Sequence, residues 1–363
     1  MREDVRVKPS PSSDQPEWPS TTARSNRAGR IAVTHTAGRA AARIGWDADA
    51  ERYQREHGDY LAGPGDGDLV WCPEGWLESE LGLLGPAADL AGLTVLDLGC
   101  GAAQAARWLA KHVCGVSESL TDTAGPNASG EVISTHLPEP SPTTEAASTA
   151  ESAHTRARRA SRAPSSGRVI GMDISHAQLT FAQDWHEAHP SHPRVHLIQA
   201  DAHDLPFATA SMDVIVSAFG VLAFVPDLTV VLREVARVLR PDGHITVSLP
   251  HPVRWMFPDD PVATRGLKVS TSYFDRTPYA EISTTGEVTY AEYHHTLEDL
   301  MHACVAAGLV VTRLWEPQWR GDRMRTFGGW SADTVDLVPK TLIVRLEHRS
   351  LQKRSASPES SEH

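Results

Sequence analysis

The chain has 363 residues, with 34 Lys and Arg against 46 Asp and Glu, and a net charge of −12. That balance argues against a general binder of nucleic acid or of an anionic membrane. No run of 18 apolar residues predicts a membrane span, and the start, MREDVRVKPSPSSDQPEWPS, lacks the apolar stretch of a secretory signal. Cys72, Cys100, Cys114 and Cys304 are scattered without CxxC spacing. They predict neither a metal site nor a disulfide framework, but the reduced thiols of a cytoplasmic protein.

Residues 1–44, rich in Ser, Thr, Pro, Ala and Arg, read as a disordered leader. The next segment, 46–79, is polar but carries Tyr53, Tyr60, Trp71 and Trp76. TVLDLG (94–99) is an apolar run closed by glycine, hence a buried strand, and AAQAARWLAKH (102–112) is helix-forming. Residues 114–167 contain no Phe, Trp or Tyr and few Leu, Val or Ile. Such a stretch buries too little apolar area to offset its ordering entropy, so it reads as a disordered insertion. Strand RVIGMDIS (168–175), helix 176–189 ending before Pro190, and strands 194–201 and 212–219 follow. An amphipathic helix spans 228–243, stopped by Pro241 and Gly243, and strand HITVSLP covers 244–250. A hairpin over 271–296 turns at Thr285-Gly286, helix 297–308 ends at Gly308, and strands 309–316 and 341–348 complete the domain before a polar tail at 350–363. One domain over 45–349, interrupted at 114–167, leaves roughly 250 residues to fold. Strands alternating with helices predict a mostly parallel sheet, with ligands at the carboxyl ends of its strands.

The chemistry concentrates in LDLGCGAAQ (96–104). A dinucleotide-binding turn would place Gly or Ala third in G-x-G-x-x-G, where this chain has Gln104. Asp97 would also oppose a pyrophosphate, so a dehydrogenase is disfavoured. A cationic, phosphate-free ligand fits better, and S-adenosyl-L-methionine meets that demand. A second acid is then needed at the end of the next strand to take the ribose hydroxyls. Asp173 stands there, about 20 residues downstream once the insertion is set aside. A third acid, Asp201, ends VHLIQAD within reach of an adenine amino group. Any one acid alone is commonly a helix cap; three at successive strand ends, beside a glycine turn, point to a site.

VLDLGCGAAQ, VIGMDIS, QADAHDLPFATASMDVIVSAF and LREVARVLRPDGHITVS resemble class I S-adenosylmethionine-dependent methyltransferases of the type-11 domain group, over about 46–348 apart from the insertion. The resemblance implies an α/β, Rossmann-like doubly wound sheet of seven strands in the order 3-2-1-4-5-7-6, with the last strand antiparallel. It implies that Gly99, Cys100 and Gly101 pass the methionine part of the cofactor, with Gln104 beside them. Asp173 and Ile174 would meet the ribose, Asp201 and Ala202 the adenine, and Ser217 to Phe219 the transferred methyl. Ala103 stands where many members have a third glycine, and its methyl is tolerated if φ is negative.

The strand ending SAFG lacks the Asn/Asp-Pro-Pro-Tyr/Phe signature of amino-group nucleic-acid methylation, so the expected partner is a small organic acceptor, with no nucleic acid and no membrane. Trp71, Arg254 and Tyr279 are candidate acceptor contacts and His251 the first candidate for a polar acceptor contact or base, with Tyr279, His57 and His294 behind it. A module that binds the cofactor without catalysis is the alternative. HEAHPSHPRVH (186–196) is rich in histidine, but Pro190 and Pro193 break the helix that would align a metal site.

Overall fold

The computed structural model describes residues 25–63, 67–114, 167–257, 268–319 and 337–349. Strands β2 (Thr94–Leu98), β3 (Arg168–Asp173), β4 (Val195–Gln199), β5 (Met212–Ala218), β6 (Leu239–Pro250), β9 (Leu309–Trp315) and β10 (Thr341–His348) form one sheet in the order β4-β3-β2-β5-β6-β10-β9. β2, β3, β4, β5 and β6 pair in parallel, and β10 runs antiparallel to both β6 and β9. Numbered within the sheet alone, this is 3-2-1-4-5-7-6, as the resemblance implied.

Helices cover both faces. α3 (Gln104–Val113) and α4 (His176–Ala188) pack on one, where Ala106, Leu109, Leu179 and Ala182 meet Val95, Val169 and Val216. α5 (Leu228–Val238) and α6 (Leu297–Ala306) cover the other. In α5 the buried residues Leu228, Val231, Leu232, Val235 and Val238 recur with helical spacing and form one apolar stripe. Its N-cap Asp227 accepts the N–H groups of Thr229 and Val230 at 2.9 and 3.2 Å. The helix is shorter than the 228–243 expected. Pro241 disfavours helical backbone at Arg240, the chain turns extended at Leu239 (ψ 135°), and β6 begins there.

The larger correction concerns the leader. Ser25–Arg30 form strand β1, which pairs antiparallel with β7 (Tyr279–Ser283), and β7 pairs with β8 (Val288–Glu292) in a separate three-stranded sheet. Thr34 then caps helix α1 (His35–Leu61), accepting the Ala37 N–H at 3.2 Å. Residues 25–44 are therefore ordered, and α1 runs straight through the expected boundary at 44. Its buried face is Gly38, Ala41, Ala42, Gly45, Asp49 and Ala50. These small side chains let α1 approach β8 closely: a Cβ on Gly45 would lie 2.8 Å from the Thr289 carbonyl oxygen. Residues 1–24 and 350–363 lie outside the described residues.

Most of the expected insertion, 115–166, also lies outside the described residues, but both its ends are in view. Cys114 closes α3 and its Sγ lies 3.8 Å from the Gly167 carbonyl oxygen; the Gly92 N–H donates to the Val113 carbonyl at 2.9 Å. The described residues on either side of 115–166 thus lie side by side. Joining Cys114 to Gly167 through about four residues is expected to keep the urea midpoint of the full chain or raise stability by up to about 2 kcal/mol, through a shorter loop to close. A deletion protein that melts earlier would show that 115–166 supports the fold.

Candidate functional site

The carboxyl ends of β2, β3, β4 and β5 open into one cleft, at the point where the strand order reverses on either side of β2. Its floor comes from Gly99–Gly101, Met172–Ile174, Ala200–His203 and Ala218–Val221, and α1 supplies one wall. Counting its open mouth, the cleft holds about 1020 Å³, ample for a nucleoside cofactor with an acceptor beside it.

The glycine turn is fixed by hydrogen bonds to β3. The N–H groups of Gly99 and Cys100 both donate to the Met172 carbonyl, at 2.8 and 3.0 Å. Asp173 spans two turns: Oδ2 accepts the Gly101 N–H at 2.9 Å and Oδ1 the Ser175 N–H at 2.8 Å. Burial raises its pKa, and those N–H groups oppose the rise. Each carboxylate oxygen keeps a second lone pair, so ribose hydroxyls remain acceptable partners.

Glycine is required at two positions here. Gly99 has φ 76°, and a Cβ on it would stand 2.6 Å from Val221 Cγ2 and 3.2 Å from Gly220 Cα. Gly101 has φ 54°, and the nearest atom to a Cβ would be Gln178 Oε1 at 3.7 Å, so this backbone faces open space where a ligand can approach. Ala103 departs from the expectation of a negative φ. It has φ 62° and ψ 30°, a left-handed residue opening α3, at a cost of about 1–2 kcal/mol. Its fully buried methyl offsets part of that, about 0.8 kcal/mol. Phe219 is also left-handed (φ 57°), held by its N–H to Ser248 Oγ at 2.8 Å, and it lines the cleft.

Asp97 lies behind the turn rather than in the lining. It is fully buried and its Oδ2 has no hydrogen-bond partner. Burial first, and the charge of Asp173 second, push its pKa up to about 7, against the Ala106 N–H in the first turn of α3. A buried carboxyl with a vacant oxygen suits a cationic neighbour. Asp201 is the opposite case: burial raises its pKa, but His203, through both side chain and N–H, and Arg39 outweigh it and hold the acid ionised. Arg39 reaches from α1 to place Nε and Nη2 on Asp201 Oδ2, at 2.9 and 2.7 Å.

Of the residues expected at the site, Gly99, Cys100, Gly101, Gln104, Asp173, Ile174, Asp201, Ala202 and Phe219 line the cleft. Ser217 is buried in β5 outside the lining. The acceptor-side expectations differ more. Trp71 is wholly buried in the core, its Nε1 donating to Glu78 Oε2 at 2.8 Å, while its neighbour Val70 faces the cleft. Arg254 lies 3.8 Å from Glu292, and Tyr279 donates to Glu281 at 3.3 Å, both away from the lining. His251 is buried, Nδ1 accepting the Val253 N–H at 3.2 Å and Nε2 lying 2.9 Å from Glu316. Burial lowers its pKa and Glu316 opposes this; the geometry gives it a capping role. Tyr53, from the aromatic-bearing segment 46–79, lines the cleft with Trp46 and Gln54 of the same segment; Arg39, Gln178 and Phe224 line it unforeseen as site residues. Trp46 stands edge-on to both Tyr53 and Phe224, with ring centroids 5.2 and 5.1 Å apart. The helix-forming run HTAGRAAARIGW was the available signal for the α1 wall.

The strand order and this cleft define the fold of class I S-adenosylmethionine-dependent methyltransferases. Residues 151–247 match the family model described as "Methyltransferase domain", the type-11 group. A demethylmenaquinone methyltransferase of Lactobacillus johnsonii is 31% identical over 139 residues, covering 38% of this chain and 53% of that protein. A ubiquinone/menaquinone biosynthesis C-methyltransferase of Hahella chejuensis is 33% identical over 104 residues, covering 29% and 39%. The chain thus spans about half the length, or less, of these curated relatives. An S-adenosylmethionine-dependent methyltransferase structure from Mesorhizobium loti aligns with 76% of this chain and 97% of its own, at 19% identity and a TM-score of 0.46.

Because folding raises the pKa of Asp97 above its unfolded value, the folded state holds an extra proton between about pH 4 and 7. Ligand-free stability is therefore expected to fall as pH rises through that window, by a few kcal/mol. Asp97→Asn should flatten the slope in urea titrations at several pH values. A wild-type slope unchanged in the variant would clear Asp97 of the effect.

Proposed function

We propose that this chain is an S-adenosyl-L-methionine-dependent methyltransferase acting on a small organic acceptor. The observation that carries the reading is the buried Asp97, with its vacant oxygen beneath a glycine turn that is itself bound by Asp173. Asp97 supplies negative charge under the methionine end, the open backbone at Gly101 admits it, and Asp173 and Asp201 await ribose and adenine. The cofactor brings an activated methyl: its C–S bond breaks, the electron pair stays on sulfur as a neutral thioether, and the acceptor's lone pair forms the new bond. The protein's task is then to align the acceptor in line with that bond and to keep water out.

Trp46, Tyr53, Phe219 and Phe224 give the acceptor side of the cleft an aromatic lining, suited to a flat, largely apolar molecule. The relatives named for quinone biosynthesis are consistent with such a ring acceptor. Among the described residues no helix is long and apolar enough to cross a membrane.

Calorimetry with S-adenosylmethionine, S-adenosylhomocysteine and NAD tests the cofactor; tight NAD binding without response to the first two would sink the reading. Asp173→Ala should weaken S-adenosylhomocysteine by about 1.5–3 kcal/mol, the scale of a hydrogen bond to a charged group. Affinity for the sulfonium cofactor should rise with pH through about 7 as Asp97 ionises, and Asp97→Asn should remove that rise. A labelled-methyl screen against a metabolite extract then identifies the acceptor, and a screen with no transfer to any compound would favour the non-catalytic alternative.

A further inference from the structure

Three glutamines from three helices meet at the cleft. Gln104 opens α3, Gln178 stands in the first turn of α4, and Gln54 comes from α1; all three line the cavity. Gln104 Nε2 donates to Gln54 Oε1 at 2.6 Å, and Gln54 Nε2 donates to Gln178 Oε1 at 2.7 Å. Gln104 and Gln178 are 9% and 2% exposed, so these amides sit where polar groups need partners.

The chain of amides has a direction. Gln54 uses its oxygen toward Gln104 and its nitrogen toward Gln178. That leaves an acceptor at one end, Gln104 Oε1, and a donor at the other, Gln178 Nε2. Among the described residues neither of these two atoms makes a hydrogen bond. Gln178 Oε1 is also the atom nearest the open side of Gly101, at 3.7 Å from where a Cβ would stand. A run of amides with one free acceptor and one free donor, bordering the glycine turn, offers partners to a ligand that carries both a cation and an anion. A zwitterionic α-amino acid is such a group: its ammonium takes the Gln104 oxygen, and its carboxylate takes the Gln178 N–H groups.

We propose that Gln54, Gln104 and Gln178 form an amide chain that recognises the amino-acid end of the methyl donor, with Gln54 as a positioning residue. Gln54 need not touch the ligand. Its amide sets which atom of each neighbour is free, because a rotated Gln104 or Gln178 would face it with like against like. The cap helix α1 is thereby linked to donor binding. The idea rests on the proposed cofactor, and it goes further in naming the part of that molecule each end reads.

The test compares two ligands on the full-length protein by calorimetry: S-adenosylhomocysteine, which carries the amino-acid end, and 5′-methylthioadenosine, which lacks it. Gln178→Met should weaken S-adenosylhomocysteine roughly tenfold or more, the scale of a lost hydrogen bond to a charged group; Gln54→Met, which leaves its two neighbours free to rotate, should weaken it by a smaller factor, about threefold or more; each should change methylthioadenosine less than about twofold. Gln178→Glu, which keeps the shape but faces the carboxylate with a like charge, should weaken S-adenosylhomocysteine still further. Unchanged methylthioadenosine affinity reports an intact cleft in each variant. Equal losses for both ligands, or no loss for either, would overturn the amide chain while leaving the cofactor reading in place. A wild-type protein that binds neither ligand would overturn both.

Discussion

The carboxylate of Asp173 joins the two turns at the ends of neighbouring strands. One oxygen holds the Gly101 N–H after β2 and the other holds the Ser175 N–H before α4. The Met172 carbonyl takes two further N–H groups of the same glycine turn. These bonds tie the ends of two neighbouring parallel strands into one rigid rim. The rim is packed from the far side as well, where Gly99 and Gly220 approach with no room for a side chain on either. A backbone held from both sides can keep Ala103 and Phe219 in left-handed conformations, because local strain persists where surrounding contacts over-determine it.

The same rim explains the contrast between the acids. Asp173 satisfies backbone, Asp201 is compensated by Arg39 and His203, and Asp97 keeps an oxygen without a partner. Three carboxylates at successive strand ends look alike in sequence. Their surroundings set them apart: one joins the turns, one pairs with the cap helix, and one lies buried behind the glycine turn.

Much of the sheet was legible because apolar runs, turn residues and helix stops are local signals, and the strand-end acids fall at fixed positions relative to them. The cap was not. α1 buries glycines and alanines, so its packing face carries none of the bulky periodicity that marks an amphipathic helix, and its Ala-, Thr- and Arg-rich start reads like a leader. The cap's strand β1 gains its partner β7 from some 250 residues away, which nothing nearby could announce. The acceptor side failed for a geometric reason. Near the Val70–Leu77 bridge the chain is extended, successive side chains point opposite ways, and the eye-catching Trp71 turns inward while plain Val70 faces the cleft. His251 follows a strand end that borders the site, yet its ring turns to cap its own backbone and meet Glu316.

The junction of Cys114 with Gly167 has a consequence for where chain can be added to this fold. Thr94 and Arg168 pair at the amino ends of β2 and β3, and a five-residue strand separates them from the rim by roughly 15 Å. Added sequence at this seam enters beside its exit, on the side of the sheet away from the chemistry. The family match begins at residue 151, beyond the glycine turn.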